Sequence, residues 1–126
     1  MKKWIVLLLS ALLLTACTQE KSQEAVYMNI NAQEAKQLMD TQEGYIILDV
    51  REQEEFDQGH IPGAILIPYT QTEEMAPQML PDKEQLILVY CRSGRRSKIA
   101  AEALVELGYT NIKEFGGILD WPYEIE

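Results

Sequence analysis

The stretch Cys91-Arg92-Ser93-Gly94-Arg95-Arg96-Ser97 holds the residue types of this 126-residue chain that are best suited to covalent chemistry. A thiolate is a strong nucleophile, and cations or a helix N-terminus nearby favour the ionised form. Arg92, Arg95, Arg96 and Lys98 crowd the neighbourhood of Cys91 in a chain that is otherwise acidic, with 11 basic against 20 acidic residues. Ser93 and Gly94 are small enough to let a backbone curl tightly, and a ring of backbone N–H groups around the sulfur would hold an anion formed there. A lone cysteine after an apolar strand is ordinarily an inert core residue, and an arginine cluster is ordinarily a solvated face. Their coincidence at a glycine-containing turn points to a reactive thiol, because inert burial would gain nothing from three arginines.

The elements around this stretch place it. Leu86 to Tyr90 is an apolar run that reads as a strand leading into Cys91, and Ser97 to Leu107 reads as a helix with Ile99, Ala100, Ala103, Leu104 and Leu107 on one face, closed by Gly108. Upstream, Tyr27 to Ile30 is a short strand candidate. A helix capped by Asn31, with Glu34 as the reciprocal partner, runs to the break at Glu43-Gly44. Tyr45 to Val50 and Ala64 to Pro68 read as further strands, Gln53 to Gln58 and Pro77 to Leu80 as short helical turns, and Ile112 to Phe115 as the last strand. Apolar strands alternating with helices predict an α/β fold, a parallel sheet with helices on both faces. In such a sheet ligands bind beyond the carboxyl ends of the strands, which is where Cys91 falls.

Composition bounds the rest. The chain suits one domain, and a formal charge of −9 disfavours a nucleic-acid partner. Only Cys17 and Cys91 carry thiols, so neither a disulfide scaffold nor a multi-thiolate zinc site is available. Residues 1–16 have the order of an export signal: Lys2 and Lys3, an apolar run from Trp4 to Leu14, then Thr15 and Ala16. The apolar run rises only about 16 Å as a helix, roughly half a bilayer core. Leu14-Thr15-Ala16-Cys17 resembles the bacterial lipobox, which implies lipidation of Cys17 and an extracytoplasmic, membrane-anchored lipoprotein. Residues 17–25 would then be the lipidated cysteine and its tether, of which Thr18 to Ala25 reaches at most about 28 Å, and 26–126 the folded domain.

The Cys91 loop resembles that of the rhodanese family of single-domain sulfurtransferases, of the form Cys-Arg-x-Gly-x-Arg-Ser, matched by Cys91, Arg92, Gly94, Arg96 and Ser97. Leu48-Asp49-Val50-Arg51, Glu55-Phe56, Gly59-His60-Ile61-Pro62-Gly63-Ala64 and Gly116-Gly117 with Trp121 are similar to that family's other signatures, so the likeness spans about Tyr27 to Trp121. Related phosphatases and arsenate reductases on this fold carry Cys-x5-Arg; here the sixth position after the cysteine is Ser97 and the last arginine is one residue earlier. A loop one residue shorter closes on a sulfur atom and leaves little room for a tetrahedral phosphate. The resemblance implies a Cys91 persulfide charged by thiosulfate or a similar anion and discharged to a thiol or cyanide. No metal or organic cofactor is implied. The backbone of Ser93 to Ser97 would hold the persulfide, Arg92 and Arg95 would steer donors, and Asp49 and Arg51 would pair in support. His60 falls in a structural turn and Trp121 in packing. The rival readings are a non-catalytic interaction module and a cysteine-dependent phosphatase or reductase.

Overall fold

The computed structural model describes residues 26–126. The export signal, the lipid-bearing Cys17 and the tether expected from the sequence lie outside the described residues. Strands β1 (Met28–Asn29), β2 (Ile46–Asp49), β3 (Ile65–Leu66), β4 (Ile87–Cys91) and β5 (Ile112–Gly117) form one sheet. Their order is β1-β5-β4-β2-β3, and every pairing is parallel. Helices α1 (Ala32–Thr41), α2 (Gln53–Gln58), α3 (Thr72–Met79) and α4 (Arg95–Glu106) provide the connections.

Alternation along the strands divides the core into two. Leu48, Val50, Ile87, Val89 and Ile112 pack with Ala100, Ala101 and Leu104 of α4 and Ala76 of α3. Ile47, Leu88, Tyr90 and Phe115 pack on the other face with Ala35 of α1 and Ile61. Strands apolar on both sides are what a parallel sheet between two helical layers requires, and each fully buried aliphatic side chain contributes about 1.5–3 kcal/mol. The expected α/β architecture, with helices on both faces, is the one observed.

Several boundaries move. β4 extends to include Cys91, and α4 begins at Arg95, two residues before its expected start. At α1, Asn31 Oδ1 accepts the Glu34 N–H at 2.8 Å. The expected turn at Pro77 is a helix of eight residues, preceded by a 3-10 turn at Tyr69–Gln71. Proline inside a helix removes a donor. The buried Tyr109 hydroxyl supports this helix from across the core, donating to the Leu80 carbonyl at 2.6 Å with the Ala76 carbonyl 3.0 Å away.

Between β4 and β5 the register slips beside Cys91: Val89 pairs with Glu114 but Cys91 with Gly117, leaving one extra residue on β5. Such a bulge bends its strand and re-aims side chains. Here it sets Glu114 and the Gly116-Gly117 pair against the loop that follows β4.

Candidate active site

Cys91 ends the central strand, and the chain turns at once into α4. Gly94 makes the turn with φ +106°, a conformation costly to residues with a Cβ, and serves as the helix N-cap. The loop is closed from the other side by Gly117, whose added Cβ would lie 1.9 Å from the Arg92 carbonyl oxygen and 2.5 Å from the Ser93 nitrogen. A side chain there is incompatible with the loop, so the glycine pair at the end of β5 is needed for the backbone around the sulfur to pass.

Cys91 Sγ accepts the Gly94 N–H at 3.0 Å and lies 3.3 Å from Ser97 Oγ. The residue has no exposed surface. Burial is the strongest influence on the thiol and opposes ionisation. The Ser97 hydroxyl and the amides of Ser97, Gly94 and Ser93 together outweigh it, and the thiol is drawn below its ordinary value. The sequence attributed this lowering to the arginines and the helix terminus; the structure assigns most of it to hydrogen bonds from the loop and the first turn of α4.

The predicted cations separate into two kinds. Arg92 and Arg95 are exposed, as is Lys98. Arg96 turns to α2, where Nη1 and Nη2 reach Glu55 Oε1 and Oε2 at 2.6 and 2.9 Å. This pair holds the Glu55 carboxyl down at about 2, chiefly through the Arg96 hydrogen bonds. Arg96 thus ties the loop to α2, and its charge also feels that of Cys91. Of the other loop residues, Ser93 is exposed while Gly94 and Ser97 are buried.

Asp49 and Arg51 meet as a buried pair on the neighbouring strand end. Arg51 Nη2 donates to Asp49 Oδ2 at 2.7 Å and to the Gly59 carbonyl at 2.7 Å. The Tyr90 hydroxyl also donates to Asp49 Oδ2 at 2.7 Å and accepts the Ile61 N–H at 3.1 Å. Burial, reinforced by Asp49, pushes the Tyr90 phenol well up. Asp49 has no contact with Cys91 in this arrangement; it anchors the turn that contains His60. That histidine stacks on Phe56 at 3.8 Å, places Nδ1 3.0 Å from the Phe56 carbonyl, and faces Glu126 rather than the loop. Trp121 is half-buried against Phe115 and Tyr123.

One residue of the site escaped the sequence reading. Glu114 is wholly buried, with Oε1 accepting from Ser97 Oγ at 2.6 Å and from the Gly116 N–H at 2.8 Å, and Oε2 accepting from the Asn29 side-chain amide. Two adjacent charges, Lys113 and Glu114, inside the last strand were the available signal. Among the described residues no group of three or more His, Cys, Asp or Glu side chains is placed to hold a metal. A concavity of about 300 Å³ beside the loop is lined by Arg51, Arg92, Ile118 and Leu119 among others. A larger one, about 520 Å³, lies on the α1 side around Tyr45, Trp121 and Tyr123 and includes no loop residue. The smaller is the one adjacent to the chemistry.

The described residues form a parallel α/β domain whose one buried cysteine lies among backbone amides where a central strand becomes a helix. Residues 31–123 match the rhodanese-like domain family, and the chain belongs to it. It is 42% identical over 73 residues to the thiosulfate sulfurtransferase PspE of Escherichia coli, covering 58% of this chain and 70% of that protein. It is 38% identical over 98 residues to the putative sulfur carrier protein YrkF of Bacillus subtilis, covering 77% of this chain but only 52% of that relative. Among solved structures, it resembles a rhodanese with anions from E. coli at 38% identity and TM-score 0.62, covering 65% of this chain and 96% of the other. A rhodanese-like domain protein from Staphylococcus aureus aligns with TM-score 0.66 at 30% identity, covering 79% of this chain and 96% of that one.

Proposed function

We infer that the protein transfers sulfane sulfur from thiosulfate or a similar anionic donor to a thiophilic acceptor through a persulfide on Cys91. The observation that carries this reading is the environment of Cys91 Sγ, a thiol drawn toward ionisation inside a loop of amide donors. The thiolate attacks the outer sulfur of thiosulfate, the sulfur–sulfur bond breaks, and its electron pair leaves with sulfite. A thiol or cyanide then attacks the outer sulfur of the persulfide, and the Cys91 thiolate leaves. Amides that stabilise the thiolate also suit the persulfide anion, because the negative charge stays within the same nest.

The exposed Arg92 and Arg95 supply positive potential at the mouth of the loop, where they would attract an anionic donor in a chain of net negative charge. Because Cys91 itself is covered, transfer requires its surroundings to yield enough to admit one sulfur atom. Leu14-Thr15-Ala16-Cys17 after an apolar run supports a lipid-anchored protein outside the cytoplasm, where more than one acyl chain gives stable attachment.

The test is sulfur transfer from thiosulfate to cyanide by wild type and Cys91→Ser. The variant is expected to lose transfer while keeping its circular dichroism and melting temperature. Undiminished transfer in the folded variant would refute the assignment.

A further inference from the structure

Glu114 is a buried carboxylate that the transfer scheme leaves without a task. It touches neither the sulfur nor solvent, and it is joined to Cys91 by one group alone, the Ser97 hydroxyl, at 3.3 Å from Sγ and 2.6 Å from Glu114 Oε1. That hydroxyl has a single proton. When it donates to Glu114, its oxygen faces the sulfur as an acceptor, and the S–H donates to it. When Glu114 carries the proton, the chain of hydrogen bonds reverses: Oε1–H donates to Ser97 Oγ, and the Ser97 O–H donates to a thiolate. The Gly116 N–H and the Asn29 amide remain bonded to the carboxyl group in both arrangements. A line of hydrogen bonds that can run in either direction between the sulfur and the carboxyl group is suited to moving a proton.

We propose that Glu114 receives the proton of the Cys91 thiol through Ser97, so that a sulfur shielded from water ionises without its proton crossing to solvent. The S–H bond breaks as its proton joins Ser97 Oγ, the hydroxyl's original proton joins Glu114 Oε1, and no other reactant is consumed. Glu114 is a positioning residue here, acting on the sulfur only through Ser97. The titratable and charged groups facing this line are Tyr27 ahead of β1, which feels the Glu114 charge, and Arg96 in the first turn of α4, which feels that of Cys91. The inference deepens the sulfur-transfer reading and depends on it only for what the thiolate does next.

The test is the rate at which iodoacetamide alkylates Cys91 in the full chain, followed on the Cys91 peptide by mass spectrometry so that Cys17 does not interfere. Wild type, Glu114→Gln and Ser97→Ala are compared from about pH 5 to about pH 9. A thiol that shares its proton with Glu114 alkylates at a rate nearly independent of pH around neutrality, with a second rise when the pair loses its last proton. Both variants are expected to lose that plateau, to slow by about tenfold for each pH unit below the thiol's own titration, and to be at least about tenfold slower than wild type near pH 6.

A Glu114→Gln protein that reacts as fast as wild type near pH 6, or faster, would overturn the proposal, because the buried charge would then merely oppose the thiolate. A plateau retained in Ser97→Ala would overturn it equally. If Glu114→Gln does not fold, Ser97→Ala decides, since it cuts the line without altering the carboxylate. Alkylation reads the thiol whether or not sulfur moves. A protein with the plateau that takes no sulfur from thiosulfate fails the transfer reading alone, and one that takes sulfur without the plateau fails this inference alone.

Discussion

Replacing Gly117 with alanine is expected to disable the site while leaving every polar side chain in it unchanged. The added Cβ would sit 1.9 Å from the Arg92 carbonyl oxygen, 2.3 Å from its carbon and 2.5 Å from the Ser93 nitrogen. All three are backbone atoms of the loop, so no side-chain rotation relieves the clash, and the backbones must separate by about 1 Å or more to reach even the closest tolerated contact. A displacement of about 1 Å at a catalytic group costs on the order of a hundredfold in rate, and forcing extra volume into a packed interior costs about 1–3 kcal/mol. For a domain of this size that is a fall in melting temperature of roughly 4–20 °C. Sulfur transfer from thiosulfate to cyanide and thermal unfolding are measured on the same preparation. Gly44→Ala is the control: its φ of +71° makes alanine costly by about 1–2 kcal/mol, yet a Cβ there meets nothing within 4 Å, and transfer should be unchanged. If Gly117→Ala transfers sulfur at nearly the wild-type rate, the glycine is not what lets the loop close around Cys91, and the steric reasoning fails.

Two further substitutions test the scaffold. The Glu55 carboxyl ordinarily titrates near 4.5 and is held at about 2 by Arg96, so the pair stabilises the fold above the unfolded value and is lost as pH falls from 4.5 through 2. Arg96→Met should therefore lower stability by on the order of 1–3 kcal/mol at neutral pH and flatten its decline over that acid window, as read from urea unfolding; equal acid sensitivity in both proteins would contradict the pairing. Tyr90→Phe removes the donor to Asp49 and the acceptor for the Ile61 N–H inside the protein. A loss of about 1–3 kcal/mol is expected by the same measurement, and a neutral result would show that the buried carboxylate does not need this partner.

Parts of this molecule are legible from local chemistry in the chain itself. An apolar pentapeptide running into Cys91 can be little else than a buried strand, and Asn31 stands where a helix needs a cap. The sequence also puts Asp49 and Arg51 at one strand end, where they meet. What stays hidden depends on partners remote in the chain. Glu114 looks like one of two ordinary strand charges because its partners Asn29 and Ser97 lie 85 and 17 residues away, and the register slips beside Cys91. Pro77 and a polar start make helix α3 read as a mere turn, whereas Tyr109, 33 residues beyond Ala76, supports it through the core. The three loop arginines look alike in sequence. Glu55, 41 residues before Arg96, takes one of them out of the solvent-facing group.

Transfer by this route requires sulfur to reside covalently on Cys91 Sγ, and weighing the intact chain after incubation with thiosulfate tests that most directly. Wild type is expected to gain the mass of a single sulfur atom, mapped to the Cys91 peptide and removed by cyanide, while Cys91→Ser gains nothing. An unchanged mass in folded wild-type protein, or a gain that persists in Cys91→Ser, would contradict it.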